Sequence, residues 1–250
     1  MPRLRVWFAM AGVLLALQVV ATAYLPQRLA GMLPAVNLLV FFLAFTFFNL
    51  RALSANKDSL DGDALLAQGR FLAAVERFEQ GTRKAPRSSI LPLNRGVALL
   101  SLWRVAEAEQ AFADAAAKRF TGFNLERLLH PQRALAAALL GSLEQAEQWL
   151  EAAAAAGAGD SAQGTLARAV LAARRGEWAQ VRALLQRYEV KQLGGPPRGL
   201  ADALSAWAVE QLSGEQRHVD RVALLGEAGT DAIQKLWPEL ADFVARAPPA

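Results

Sequence analysis

No cysteine occurs among the 250 residues, which excludes disulfides, thiolate metal sites and cysteine nucleophiles and leaves redox compartment unread. Histidine is scarce as well. His130 and His218 are the two present, and neither has a second histidine at the spacing of a metal-binding pair. His130 precedes Pro131 at an expected helix start, and His218 lies among Arg217, Asp220 and Arg221, so both read as surface or capping residues. Strand signals are missing: no Asn-Gly or Asp-Gly turn separates alternating apolar stretches, and Asp61-Gly62-Asp63 sits in helical context. Acidic residues are absent from the first 57 positions, Asp58 being the first.

That last absence locates the positive charge. The net charge is +4, yet residues 1–57 carry Arg3, Arg5, Arg28, Arg51 and Lys57 against no acid. Of the 27 basic residues, 22 remain beyond position 57, facing 23 acidic ones, so the rest of the chain is close to neutral. A near-neutral domain without a basic stripe does not bind a phosphate backbone, and nucleic acid is not an expected partner.

Two apolar runs, residues 6–25 and 29–50, contain no charged side chain between their bounds. Each reaches the roughly 20 residues a helix needs to cross a bilayer. Trp7 and Tyr24 stand near the ends of the first run, where amphipathic rings favour the headgroup level. Pro26-Gln27-Arg28 reads as a tight turn, Pro34 as an early residue of the second helix, and Gly12 with Ala16 as a small-residue pair for close helix approach. Gln18 and Asn37 are polar but not ionisable, so neither marks a transport path. Arg3 and Arg5 before the first span, with Arg51 and Lys57 after the second, place both termini in the cytoplasm by the positive-inside bias. A rival reading takes residues 1–23 as a cleaved signal peptide ending in Ala21-Thr22-Ala23. Both readings put the remainder on the cytoplasmic side of an inner membrane; the first makes the chain multi-pass, with the bilayer contacted through residues 6–50.

Beyond the spans the chain repeats. Gly69, Trp103, Gly141 and Gly176 are separated by 34, 38 and 35 residues. Two residues after each comes an apolar or aromatic anchor (Phe71, Val105, Leu143, Trp178), then a small one (Ala74, Ala108, Ala146, or Val181 in the fourth), then a large one (Phe78, Phe112, Leu150, Leu185). A flexible turn residue ends one helix and starts the next, and the small residue lets two backbones approach. The pattern resembles the tetratricopeptide repeat (TPR) family, the second unit best, through Gly96, Leu99, Ala108, Phe112 and Ala115. Gly62, Leu65, Gly69, Phe71, Ala74, Phe78 and Pro86 fit the first unit. Departures are Gly81 in place of alanine, Trp103 in place of the turn glycine, and an insertion around Phe120–His130 with no helix glycine in the third unit. A fifth, degenerate unit would follow a Gly194-Gly195-Pro196-Pro197 linker through Leu204, Trp207, Gly214 and Val219. The large aromatic side chains at helical spacing are expected core, and the alanines 152–156 read as a helix closed by Gly157.

The expected fold is therefore all-α: a transmembrane helical hairpin over residues 1–54, a TPR-like α-solenoid of four to five helix-turn-helix units over 55–225, and a capping helix with its tail over 226–250. Leu236, Trp237, Leu240, Phe243 and Val244 serve that cap, or alternatively a partner-binding motif.

Enzymatic constellations are not found. Asp61 and Asp63 lack the further oxygen ligands of a calcium loop. Glu107 and Glu109 point to different helix faces. Leu140-Gly141-Ser142-Leu143 is no nucleophile elbow, and the prolines of Gly194–Pro197 remove the donors a phosphate loop needs. No catalytic residue, cofactor or metal is expected. The TPR resemblance implies a concave groove lined by the first helix of each pair, with Leu93, Val97 and Leu100, then Leu135 and Leu139, then Leu166 and Val170, and Arg174 as the nearest candidate for a basic clamp. Such an apolar groove suits a helical or extended hydrophobic segment of a partner protein, or this chain's own C-terminal helix. The expected function is a non-catalytic, membrane-anchored interaction scaffold or assembly factor. The alternative is a structural subunit of a larger transport, secretion or motility complex.

Overall fold

The computed structural model describes residues 33–118 and 125–248, which form two units, one ending at Ser54 and one beginning at Ala55. The first expected span, its turn at Pro26-Gln27-Arg28, and Trp7, Gly12, Ala16, Gln18 and Tyr24 lie outside the described residues. Among the described residues all regular structure is helical, with twelve α-helices, one short 3-10 helix and no strand.

The first helix, α1 (Leu33–Ala67), is 35 residues long and passes the expected end of the second span at Leu50 without a break. No glycine or proline occurs between Pro34 and Gly62, so nothing interrupts its hydrogen-bond ladder. Its early part is apolar on every side, with Leu38, Leu39, Phe42, Leu43, Phe47 and Leu50 all exposed. From Leu38 onward it is long and apolar enough, by length and composition, to cross a membrane.

In the second unit α2 (Phe71–Lys84), α3 (Ile90–Ser101), α4 (Val105–Ala117), α5 (Leu125–Leu139), α6 (Leu143–Ala155), α7 (Ala162–Arg174) and α8 (Trp178–Leu185) each pack on the next. In addition α5 packs on α7. The repeated sequence positions adopt one repeated geometry. Gly69, Trp103, Gly141 and Gly176 all take positive φ, at 75°, 57°, 79° and 74°. At each, the N–H of that residue donates to the carbonyl three back, and the next N–H donates to the carbonyl five back, as in Gly141 to Ala138 and Ser142 to Ala137. This is the Schellman closure, which satisfies two carbonyls that a helix end leaves unpaired. Gly157 ends the alanine-rich α6 in the same way, at φ 73°.

The small residues then set helix approach. A Cβ on Gly62 would stand 2.5 Å from the Phe78 ring, and one on Gly96 would stand 2.3 Å from the Phe112 ring. Each glycine precedes its turn residue by seven positions, and each phenylalanine follows it by nine. In the third and fourth units the same registers hold alanine (Ala134, Ala169) with leucine (Leu150, Leu185). A methyl is gained on one helix where a ring is reduced on the other, keeping the local volume nearly constant. Gly81 has its own reason: its added Cβ would meet Leu91 at 3.0 Å and the Cβ of Asp58 at 3.3 Å. Asp58 itself is buried on α1 and paired with Lys84 at 2.6 Å, which joins α1 to α2.

Two sequence expectations change here. Pro131 lies inside α5, not at its start, so His130 is not a cap. Gly194–Pro197 is no linker either. α9 (Gly195–Ser213) begins there, with its prolines in the first turn, where a missing N–H goes unused. Gly214 closes α9 at φ 74°, but residues 215–218 are exposed and irregular, so no second helix of a fifth pair follows directly. The final stretch divides into α10 (Arg221–Leu225), α11 (Thr230–Leu236) and α12 (Pro238–Arg246) rather than one capping helix, because Gly226, Gly229 and Pro238 break it. It belongs to the same compact unit as the rest from Ala55.

The Gly96–Phe112 pairing is open to a double-mutant cycle. Gly96→Ala alone should destabilise the folded protein by about 2 kcal/mol through overpacking. Combined with Phe112→Leu, the pair should recover about 1 kcal/mol relative to the sum of the single changes, read by urea unfolding in detergent micelles.

Candidate functional site

The groove residues inferred from sequence are brought together, but inside the protein. Leu93, Leu100, Leu135, Leu139, Leu166 and Val170 are all buried, and Val97 is partly so. They belong to one continuous core that also contains Leu204, Trp207, Ile233, Trp237, Leu240 and Phe243. The reason is topological: α9 packs on α8, on α7 and back as far as α3, so the face made by the earlier helices is covered by the later chain. An open trough along these seven residues is therefore not what the structure presents.

Arg174 has a different part from a clamp for a partner's carboxylate. It is the last residue of α7, and its Nη2 donates to the carbonyl of Leu139 at 2.6 Å and to that of Leu236 at 3.1 Å. Leu139 ends α5 and Leu236 ends α11, so one cation serves the C-terminal ends of three helices, where the dipoles favour positive charge. The guanidinium also lies 4.1 Å from the centre of the Trp237 ring. Burial lowers its pKa from the ordinary value, opposed by Glu239. Trp237 continues into an aromatic group: Trp207 lies 5.9 Å from it, 4.7 Å from Trp178 and 5.5 Å from Phe243.

Trp103 holds the other end of the closure. It is a non-glycine residue at positive φ, a conformation costing roughly 1 kcal/mol or more. Its indole is buried, and Nε1–H donates to the carbonyl of Leu224 at 3.0 Å. Nearby, the Leu72 N–H donates to the carboxylate of Glu227 at 2.7 Å. The sequence marks Trp103 as an oddity at a glycine position, but nothing local names Leu224, 121 residues away, as its acceptor.

A second polar cluster joins α4, α5 and α6. Arg133 Nε donates to Glu109 Oε1 at 2.9 Å, and the guanidinium lies 3.8 Å from the centre of the Trp149 ring. His130 stacks on the same tryptophan at 5.4 Å between ring centres. It is thus half-buried and stacked, neither a surface histidine nor a cap. Burial lowers its pKa from 6.5, with Glu126 opposing and Arg133 assisting. His218 is exposed.

An open cleft of about 870 Å³ lies beside the loop from Gly157 to Ser161. Arg127, which lines it, donates to the Gly157 carbonyl at 3.1 Å, while the loop is also held by Arg168, which donates to the Gly159 carbonyl at 2.7 Å, and by Arg187, 3.5 Å from Asp160. Among the described residues no three His, Asp or Glu side chains form a group that could hold a metal ion. Asp63, half of the Asp-Gly-Asp element, accepts from Asn94 at 2.9 Å. Glu107 pairs with Arg104 on an exposed face while Glu109 turns inward to Arg133, so the two carboxylates serve different neighbours. The chain matches no protein-family model and no curated protein.

Two outcomes are expected. Arg174→Met keeps the stem's packing but strands two carbonyls, and should cost about 2 kcal/mol of stability in urea unfolding; Arg174→Lys should recover less than half of that, lacking a planar fork. The unfolded chain takes up a proton at His130 before the folded one does, so stability should fall as pH drops from 6.5 toward the lower folded-state value. His130→Phe should flatten that slope while keeping the stack on Trp149.

Proposed function

We propose that this chain is a membrane-anchored, non-catalytic scaffold or assembly factor whose TPR-like helical repeats bind a partner protein. The observation that carries the repeat reading is the identical left-handed closure at Gly69, Trp103, Gly141 and Gly176, each followed by a buried small or β-branched residue. Only main-chain hydrogen bonds and close helix approach define that unit, and arrays of such units serve as binding surfaces rather than reaction centres. The apolar, exposed early part of α1 supports membrane anchoring. Two spans with both ends in the cytoplasm, and a repeat domain on the cytoplasmic side of the inner membrane, complete the proposal.

One observation favours a second reading. The side chains offered as the groove are buried, which suits a structural arm of a larger transport, secretion or motility complex as well as it suits a recruiter. Stoichiometry separates the two.

The absence of cysteine makes a clean probe possible. Cysteines introduced at the exposed positions Leu128 and Tyr188 would carry a photo-crosslinker in membranes. The scaffold reading expects crosslinked protein in substoichiometric amount and a protein that stays in the membrane pellet after alkaline carbonate washing. A fixed-ratio complex surviving detergent extraction would favour the subunit reading, and release by carbonate would end both.

A further inference from the structure

The second unit is entered at Ala55, and the charge around that entry is uneven although the chain beyond residue 57 is near neutral. Along α1, Asp58 stands eight residues beyond Leu50, the last residue of the apolar run. At the helical rise this is about 12 Å, an upper limit on its height above the level of Leu50 for any tilt of α1. α2 runs back along α1: Phe78 meets Gly62, Gly81 meets Asp58, and Lys84 binds Asp58 at 2.6 Å. The C-terminal end of α2, with the turn at 85–88, therefore lies at the entry. Cations distant in sequence meet there. Arg77, at 3.8 Å, shares the one buried carboxylate of Asp58 with Lys84, and the two keep 45% and 38% of their side chains exposed, open to a second anion. Lys57 and Arg87 are exposed, and neither side chain forms an ion pair among the described residues. Four cations thus face one carboxylate. Arg83 and Glu79 add no net charge, being paired with each other at 2.7 Å. The next acids, Asp61 on α1 and Glu76 on α2, come about a turn or more further along each helix from the entry.

We propose that this corner, formed by Lys57, Arg77, Lys84 and Arg87, is a contact site for the headgroup of an acidic phospholipid in the bilayer that α1 enters. The inference rests on the membrane-anchoring reading and adds the lipid class to it. Charge complementarity selects the occupant. The headgroup layer extends about 5–7 Å beyond the hydrocarbon, and charges act over roughly 10 Å at ordinary salt, so the excess of cations lies within reach of lipid phosphates. Arg51 and Lys57 on α1 are the positive flank that sequence alone supplies; the fold brings Arg77, Lys84 and Arg87 to the same end of the unit as Lys57. Asp58 has a positioning part, since its buried carboxylate holds Lys84 and Arg77 at the entry.

Native mass spectrometry of the full chain released from detergent micelles tests it, with phosphatidylglycerol and phosphatidylcholine titrated as the bound lipids. Each cation near a headgroup is worth about fivefold in affinity, so phosphatidylglycerol should bind at least about tenfold more tightly. Lys57→Gln/Arg87→Gln should lower that preference at least about fivefold. Arg182→Gln/Arg217→Gln, the same change in net charge at other exposed positions, should leave it unchanged. Should the first pair lose its helical circular dichroism, Arg87→Gln alone, in the turn after α2, should lower the preference about threefold. Equal affinity for the two lipids would overturn the proposal, as would equal losses from both pairs of substitutions. Displacement of the lipid by inorganic phosphate would overturn it too, by assigning the corner to a free anion. Carbonate washing reads insertion alone, so a chain that stays in the pellet yet shows no headgroup preference sinks this inference and leaves the anchoring reading standing.

Discussion

Each of four helices in this domain ends with one residue turned left-handed, and two main-chain hydrogen bonds after it send the chain back along its predecessor. The rest of the structure depends on that closure. It fixes where the following helix starts, and so which residue of that helix meets the one before. Once the return is set, the residue five positions beyond the turn must be small or compactly branched, and Ala74, Ala108, Ala146 and Val181 are fully buried. The seven-before, nine-after pairing of glycine with phenylalanine, or alanine with leucine, is the packing consequence of the same geometry.

Trp103 shows how a tertiary bond can override a local preference. Glycine would adopt its backbone angle without strain. An indole there gains a buried apolar surface and a hydrogen bond to Leu224, together larger than the strain. Arg174 is the polar counterpart. A cation placed at the junction of three helix ends satisfies carbonyls that would otherwise be buried unpaired, and its planar face lies on Trp237. These two residues hold the C-terminal segment at Leu224 and at Leu236, and Trp237 and Phe243 pack on Trp207.

The apolar side chains of α3, α5 and α7 are covered within the chain itself, where α9 packs on α3 and α7. The charges follow a similar economy of position. Asp58 is satisfied by Lys84, Glu109 by Arg133 and Glu210 by Arg246, so the near-neutral balance beyond residue 57 is spent largely within the fold.

Much of the helical order was legible locally. Periodicity, glycine placement and the missing strand signals identified an all-helical domain, and all four turn residues of the sequence pattern are left-handed in the structure, as are Gly157 and Gly214 at other helix ends. The proline signals misled twice: Pro131 is accommodated within α5, and Pro196 and Pro197 open α9, because proline restricts a helix by its position in the turn rather than by its presence. The apolar residues expected to line a groove are buried in the core, Val97 partly. By itself, then, the sequence determined what depends on neighbours within a few residues: helix, turn and the spacing of small against large. The tertiary structure alone decided what lies over the face those helices make, because the bonds that do so join residues 62, 121 and 155 positions apart, and no local pattern encodes a contact at that range.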